Sequence, residues 1–168
     1  MKKWDLRRTI RYYLIRLKRL QGSPHSLALG AAIGIGIGVT PTLPLHTVAI
    51  ILLTIIFRAN AIAALIAAAI ISNPLTVVPQ YFLAWKIGDL IFPNRLSWER
   101  IQEVLNQLME QGIVDSLQTL SHLSKDALLV MLTGGIALGL PLGIATYCFA
   151  YKFFLRIKLK RLQKHRLD

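Results

Sequence analysis

The sequence lacks the motifs of several large classes of enzyme and binding protein. It has no GxxxxGK(S/T) loop for nucleotide phosphates, no GxGxxG turn for dinucleotides, and no HExxH or CxxC pair for a metal. Its four histidines are scattered, without the spacing of metal ligands. No nucleophile can be paired with a base. We therefore expect no metal, no cofactor and no enzymatic activity, with a membrane enzyme kept as a third alternative.

Cysteine is almost absent, since Cys148 is the single one and it lies inside an apolar segment. One cysteine excludes an intrachain disulfide. We expect its thiol to act as a small buried hydrophobic group.

Acidic residues are also few, and the basic residues gather at the two ends. The chain has 8 Asp and Glu against 20 Lys and Arg, a net charge of +12. Residues 1–22 and 152–168 hold most of the positive charge, whereas the middle of the chain is close to neutral. Basic segments beside apolar ones are typical of the cytoplasmic ends of membrane proteins. We therefore predict cytoplasmic termini that contact anionic lipid headgroups, and no nucleic-acid binding.

Charge is missing from the whole stretch Ser26–Phe57, which has no Asp, Glu, Lys or Arg. A straight helix of that length would measure roughly 48 Å, against a hydrocarbon core of about 30 Å. Pro41 and Pro44 interrupt the stretch near its middle, because each removes an N–H and disrupts the preceding turn. We predict a re-entrant hairpin in which residues 26–39 enter the membrane and residues 45–57 return.

A second interrupted segment follows, in which residues 59–72 and 77–92 flank the break Asn73-Pro74-Leu75-Thr76. The residue before a proline avoids the helical region, so Asn73 favours a turn. Backbone broken at membrane depth is tolerated only where protein or a watery cavity covers it. We predict that the two breaks meet near mid-membrane and line a polar site, as broken helices do in many transporters.

The predicted site is a pathway or substrate-binding region made of residues in and around both breaks. Asn73 is expected to bridge the breaks because an amide has the most hydrogen-bonding capacity nearby, and Arg58 or His46 is expected to supply charge to a water-lined site. The candidates are Thr40, Pro41, Thr42, Pro44, His46, Arg58, Asn60, Asn73, Pro74, Thr76 and Gln80.

Glycines recur every four residues in two apolar segments. The first set is Gly30, Gly34 and Gly38, and the second is Gly135, Gly139 and Gly143. Glycines at this spacing share one helix face and let another helix approach closely. We interpret both sets as helix-packing ridges that are candidates to face each other, with a translocation surface as the alternative.

The predicted fold is an all-α membrane protein with interrupted, re-entrant helices and one complete transmembrane helix. Residues 1–22 form a basic amphipathic helix, which either lies on the membrane or packs on the rest of the protein. The remaining divisions are the interrupted core (23–92), an extramembrane helical loop (93–124), the transmembrane helix (125–154) and a basic cytoplasmic tail (155–168).

An ordered set of motifs resembles the DUF2062 family of small bacterial membrane proteins, a domain of unknown function. The matching pieces are SPHSLALGAAIGIGIGVTPTLPLHT, RAN, SNPLTVVPQYFLAWKIGD and TGGIALGLPLG. The resemblance implies an integral protein of the bacterial inner membrane. The layout is also similar to the re-entrant architecture of DedA-type proteins, which are associated with lipid or ion movement.

Two functions from different classes are consistent with these patterns. The first is a transporter-like or lipid-handling protein, with a homo-oligomer as its candidate assembly. The alternative is a non-transporting scaffold whose basic ends bind anionic lipid or a cytoplasmic partner. Transport needs a polar pathway that connects the two breaks, whereas a scaffold needs only breaks that are sealed by packing.

Overall fold

The computed structural model describes residues 6–40, 45–72, 74–93, 95–99, 101–103 and 125–164. Within these ranges the regular structure is helical and contains no strand, as the sequence predicts. The principal helices are α1 (Leu6–Arg19), α2 (Pro24–Val39), α3 (His46–Ile56), α4 (Ala61–Ile71), α5 (Pro74–Ile91) and α6 (Lys125–Lys164). Most of the predicted extramembrane loop lies outside the described residues.

The capping residues of α2 and α4 explain why both helices begin where they do. The Ser23 hydroxyl accepts a hydrogen bond from the Ser26 N–H at 3.1 Å, and Pro24 occupies the first turn of α2. The Asn60 side-chain oxygen accepts one from the Ala63 N–H at 2.9 Å at the start of α4. Asn60, a predicted site residue, therefore serves as a helix cap.

Helices α2 and α3 form a hairpin whose open end is closed by hydrogen bonds. The Ser26 hydroxyl donates to the Arg58 carbonyl oxygen at 3.4 Å, and the Asn60 N–H donates to the Ser26 carbonyl oxygen at 3.0 Å. Arg58 follows α3 in the left-handed region, with φ 51°. These bonds bring the start of α4 level with the start of α2. The tip of the hairpin, residues 41–44, lies outside the described residues.

Helix α6 is the longest element and packs against two different partners. Its first part lies on α5, and Arg95, four residues after the end of α5, contacts Asp126 at 2.9 Å. Its middle lies antiparallel to α2, with Thr40 beside Gly135 and His25 beside Tyr147. Pro141 lies inside the helix, which continues ten residues beyond the predicted end at Phe154. Part of the predicted cytoplasmic tail is therefore helical.

Few of the described helices are long enough to cross a membrane. In the part of the chain that the structure describes, only α6 is long and apolar enough to cross a bilayer alone. Helices α4 and α5 are long and apolar enough only when they are counted as one segment, which is bent by 91° at the break between them. Helices α2 and α3 are shorter apolar helices.

Helix α1 packs on the bundle through one side, as the second of the two alternatives for the basic N-terminal segment expects. Its Leu17 is buried in a cluster with residues of α2, α4 and the late part of α6, and Tyr13 and Leu20 pack against that cluster. The cluster consists of Leu17, Leu27, Ala28, Ala63, Ile66 and Phe154. Cys148 is exposed, so the expectation of a buried thiol is wrong.

The first glycine ridge packs on α4, so the expectation that the two ridges face each other is wrong. A Cβ added to Gly34 would overlap the Ala64 carbonyl oxygen, and one added to Gly38 would lie 3.4 Å from the Ala68 Cα. Gly30 likewise meets Asn60 and Ala63. Since these contacts advance together along both chains, α2 and α4 run parallel and nearly backbone to backbone.

The second ridge faces α2, but it meets a different face of that helix. A Cβ added to Gly139 would lie 3.1 Å from the Thr40 hydroxyl, and one added to Gly143 would lie 3.3 Å from the Ala32 carbonyl oxygen. Gly36, which lies off the first ridge, packs against Gly139. Helix α2 thus has two small-residue faces, one for α4 and one for α6. This is possible because glycines four apart cover only one side of a helix.

Candidate functional site

The described ends of the two breaks are in direct contact. The Ser72 hydroxyl, at the end of α4, donates to the Gly38 carbonyl oxygen in the last turn of α2 at 3.3 Å. The sequence predicts a bridge of this kind but assigns it to Asn73. Asn73 lies outside the described residues, as do the predicted site residues Pro41, Thr42 and Pro44. Among the described residues, Ser72 is the side chain that links the breaks.

Thr40 replaces the hydrogen-bond donor that α2 loses at its end. The Thr40 N–H bonds the Ile37 carbonyl oxygen at 3.0 Å, so it does not serve the Gly36 carbonyl as a regular helix would require. The Thr40 hydroxyl donates instead to Gly36, at 2.9 Å, and also lies 3.3 Å from the Gly135 carbonyl oxygen of α6. One hydroxyl therefore satisfies the broken end of α2 and ties it to α6.

Thr76 and Gln80 perform the same role at the second break. Both side chains donate to the carbonyl oxygen of Ile71, the last residue of α4, with Gln80 Nε2 at 2.9 Å. A buried carbonyl without a hydrogen-bond donor costs free energy, so these contacts stabilise the break. The polar side chains flanking this break thus bind the protein's own backbone. Pro74 begins α5.

His46 and Arg58, the two alternative sources of charge for the predicted site, lie at opposite ends of α3. They flank the two ends of α3, an 11-residue helix about 16 Å long. His46 is half-buried next to the hairpin tip, and its Nδ1 has no hydrogen-bond partner among the described residues. Arg58 is exposed at the open end of the hairpin, level with Ser26 and Asn60. The charge that Arg58 carries is therefore available at the end where α2 begins.

An apolar groove lies beside the contact between the breaks. It has a volume of about 450 Å³ and runs between α2 and α6, with Leu53 of α3 on one side. Only Thr40 and Tyr147, among its lining residues, carry a polar side-chain group. Its other lining residues are Leu29, Ala32, Ile33, Gly36, Ile37, Leu53, Ile136, Gly139, Leu140, Gly143 and Ile144. This groove is therefore mainly apolar, and the Thr40 hydroxyl turns toward backbone carbonyl oxygens. The polar, water-lined site predicted at the breaks stays a prediction.

The Tyr147 end of the groove has polar groups that sequence reasoning did not assign to a site. The His25 Nδ1 lies 2.8 Å from the Tyr147 hydroxyl, and the two rings meet edge to face. The Tyr147 ring also stacks on Tyr151. Two tyrosines one turn apart, just before the basic Lys152, are the sequence signal for a membrane-interface position.

Basic side chains surround this end of the molecule. Among the residues that the structure describes, no Asp or Glu occurs between Leu6 and Ile87 or after Asp126. The exposed cations of α1 and the late part of α6 are Arg11, Arg16, Arg19, Lys152, Arg156, Lys158, Lys160 and Arg161. The potential at this end is therefore positive.

Aromatic residues also mark the opposite end of the bundle. The rings of Phe82, Trp85 and Trp98 contact one another, with the Phe82 and Trp98 centroids 5.0 Å apart. The Trp85 indole N–H donates to the Leu96 carbonyl oxygen at 2.8 Å. Tryptophan with its N–H satisfied beside apolar residues is typical of membrane–water interfaces.

In the described ranges, no group of three or more His, Cys, Asp or Glu side chains is placed so that it could hold a metal ion.

No curated protein and no solved structure matches this chain. The family described as "Uncharacterized protein conserved in bacteria (DUF2062)" matches residues 7–163, almost the whole length. This match confirms the resemblance drawn from the sequence motifs. The chain therefore belongs to the DUF2062 family of bacterial proteins.

Proposed function

We propose that the protein is an integral protein of the bacterial inner membrane that handles lipid beside the junction of two broken segments. The observation that carries this proposal is the contact between the breaks, Ser72 to Gly38, next to an apolar groove. In this arrangement α2 and α3 form a re-entrant hairpin. Helices α4 and α5 form one bent crossing, α6 forms a second, and both termini are cytoplasmic.

The spacing of the interface markers supports this placement in a bilayer. Asp126 and Tyr147 are separated by 21 positions on α6. Asp126 pairs with Arg95, and the Tyr147 hydroxyl contacts His25. At 1.5 Å per residue this separation is about 31 Å, close to the roughly 30 Å hydrocarbon core. Large apolar side chains on α3, such as Ile55 and Ile56, are exposed between these levels, where acyl chains would cover them.

Lipid is a better substrate class than a polar solute for this geometry. A polar solute needs groups along its path to replace its hydration. The polar side chains near the breaks instead donate to backbone carbonyl oxygens within the protein. These side chains are Thr40, Ser72, Thr76 and Gln80. The groove beside Thr40 is lined mainly by aliphatic side chains and glycine.

A membrane scaffold is the second candidate function, and the exposed cations at one end of the molecule favour it. Such a protein would recruit anionic lipid or an acidic cytoplasmic partner without moving lipid. A homo-oligomer fits either function. The two functions differ in one measurable outcome, which is the transfer of lipid between leaflets.

Reconstitution into liposomes with a fluorescent phosphatidylglycerol tests the proposal. A quencher added outside reports how much labelled lipid reaches the outer leaflet. We expect transfer above that of protein-free liposomes, with Ser72→Ala slowing it because the link to Gly38 is lost. Ser97→Ala is the matched control, since Ser97 is exposed and lies outside both breaks. No transfer by the wild-type protein would contradict lipid handling and favour the scaffold.

Asn73 stays the predicted second bridge between the breaks. If its amide makes that bridge, Asn73→Ala slows lipid transfer more than Ser72→Ala does. Equal or smaller slowing in the same liposome assay would assign the bridge to Ser72 alone.

A further inference from the structure

We infer that the groove between α2 and α6 holds one acyl chain of an anionic phospholipid, whose phosphate lies at the His25–Tyr147 end. This inference rests on the proposed membrane placement and names the lipid class and its orientation. It assigns roles to His25, Tyr147 and Arg58 that the junction of the breaks does not use.

The lining of the groove suits a hydrocarbon chain. Its volume of about 450 Å³ lies within the roughly 300–1,000 Å³ of small-ligand pockets. From Ile136 to Tyr147 the groove follows α6 for about 16 Å. Gly36, Gly139 and Gly143 form its floor without side chains, so a chain can lie close to the backbone. The exposed Leu140 and Ile144 form a rim on α6.

The apolar lining of the groove and the bilayer beside it favour an acyl chain as its occupant. Burying apolar surface is favourable, at roughly 25 cal/mol per Å² removed from water. In the proposed placement the phase beside the groove is the bilayer itself, which supplies acyl chains at high concentration. A lipid enters sideways, because its headgroup then stays at the interface while one chain fills the groove.

The polar end of the groove determines the headgroup. His25 lies one helical turn before the lining residue Leu29, and its ring contacts the Tyr147 hydroxyl at 2.8 Å. The carbonyl oxygen of Arg58 accepts a hydrogen bond from Ser26, the neighbour of His25. The exposed Arg58 is therefore at the level of this end, where its guanidinium can pair with a phosphate.

The charge balance favours an anionic headgroup over a zwitterionic one. The described residues at this end include arginine and lysine from α1, the α3–α4 connection and α6, and no carboxylate. A choline or ethanolamine group would gain no partner from them. Each nearby Lys or Arg attracts an anionic membrane surface by about 1 kcal/mol.

Native mass spectrometry of the purified full-length protein with added phosphatidylglycerol or phosphatidylcholine tests the inference. We expect one phosphatidylglycerol to be retained in preference to phosphatidylcholine. Arg58→Ala should weaken phosphatidylglycerol binding about tenfold, the range of one charge-assisted hydrogen bond. Tyr147→Phe should weaken it less, and Tyr151→Phe is its matched control because Tyr151 does not line the groove.

A second experiment tests whether an acyl chain occupies the groove, by substitutions that add a large side chain at the groove. Ile144→Trp puts a large ring on the groove rim, where Ile144 is 65% exposed and so is not part of the packed core. Leu142→Trp makes the same addition on another face of α6 and is the control. We expect the first variant to lose bound lipid and the second to keep it. Equal retention by both variants, or equal affinity for the two lipids, would overturn the inference.

The outcomes also separate this inference from the proposed function. Selective, groove-dependent binding without transfer between leaflets would keep the site and refute lipid movement. Transfer between leaflets that Ile144→Trp leaves unchanged would keep lipid movement and refute the groove as its site.

Discussion

Gly34→Ala should destabilise the protein, whereas Gly36→Ala on the same helix should not. A Cβ at position 34 would overlap the Ala64 carbonyl oxygen and lie 2.9 Å from the Ala64 Cα. Carbon atoms in favourable contact are about 3.5–4.0 Å apart. The obstacle is the backbone of α4, which cannot rotate away as a side chain can. The two helices must therefore separate or tilt.

The same substitution at Gly36 is much less crowded than at Gly34. Its Cβ would lie 3.4 Å from the Gly139 carbonyl oxygen, an ordinary contact. Alanine is also a better helix former than glycine by up to about 1 kcal/mol. Gly36→Ala should therefore be neutral or slightly stabilising, so it controls for the helix propensity that both variants gain.

The expected size of the effect follows from overpacking. Forcing an extra methyl group into a packed interface typically costs about 1–3 kcal/mol. For a chain of this size each kcal/mol shifts Tm by roughly 2–4 °C. Gly34→Ala should therefore lower Tm by about 2–12 °C, and Gly34→Leu should lower it further.

Thermal unfolding in detergent, followed by circular dichroism, measures this difference. Gly139→Ala provides a second comparison across the α2–α6 contact. A Cβ there would lie 3.3 Å from the Gly36 carbonyl carbon and crowd the carbonyl oxygen, so it should also destabilise. Equal Tm values for Gly34→Ala and Gly36→Ala would refute the close packing of α2 on α4.

Three further predictions concern topology, the second break and the surface ion pair. Reporter fusions should place both termini in the cytoplasm, because both ends are basic and adjoin apolar segments; a periplasmic end would contradict this. The double variant Thr76→Val, Gln80→Leu should lower stability by about 1–3 kcal/mol, because the Ile71 carbonyl oxygen loses both side-chain donors; an unchanged unfolding midpoint would indicate that other donors suffice. Asp126→Asn should cost at most about 1 kcal/mol, because the side chains of Arg95 and Asp126 are 50% and 51% exposed and solvent screens their attraction; a larger loss in the same unfolding assay would show that the pair holds α5 on α6.

Local signals in the sequence determined the helical elements and their starting points. Ser23 followed by Pro24 is a local signal for the start of α2, and Asn60 is one for the start of α4. These signals act within one helical turn, so they need no knowledge of distant residues. The alternation of apolar and basic segments likewise determined that the fold is helical with basic ends.

The sequence also determined that the prolines at the breaks leave backbone carbonyl groups without their helical donors. Prolines remove N–H donors, and the freed carbonyl groups require replacements in an apolar setting. Thr40, Thr76 and Gln80 supply them in the structure. This inference needed only proximity along the chain, because each replacement acts within one to three helical turns of its break.

Tertiary structure alone decided which faces meet and what the space between them contains. Gly34 and Gly36 are both small residues in one apolar helix, yet the first contacts α4 and the second α6. His46 begins α3 and Arg58 follows its end, so the length of that helix separates these two candidate site residues. The Ser72 and Thr40 hydroxyls donate to backbone carbonyl oxygens, and the groove beside Thr40 is mainly apolar. Such pairings join residues that are far apart along the chain, as Thr40 and Gly135 are. The spacing of residues along one helix does not encode the identity of its partner.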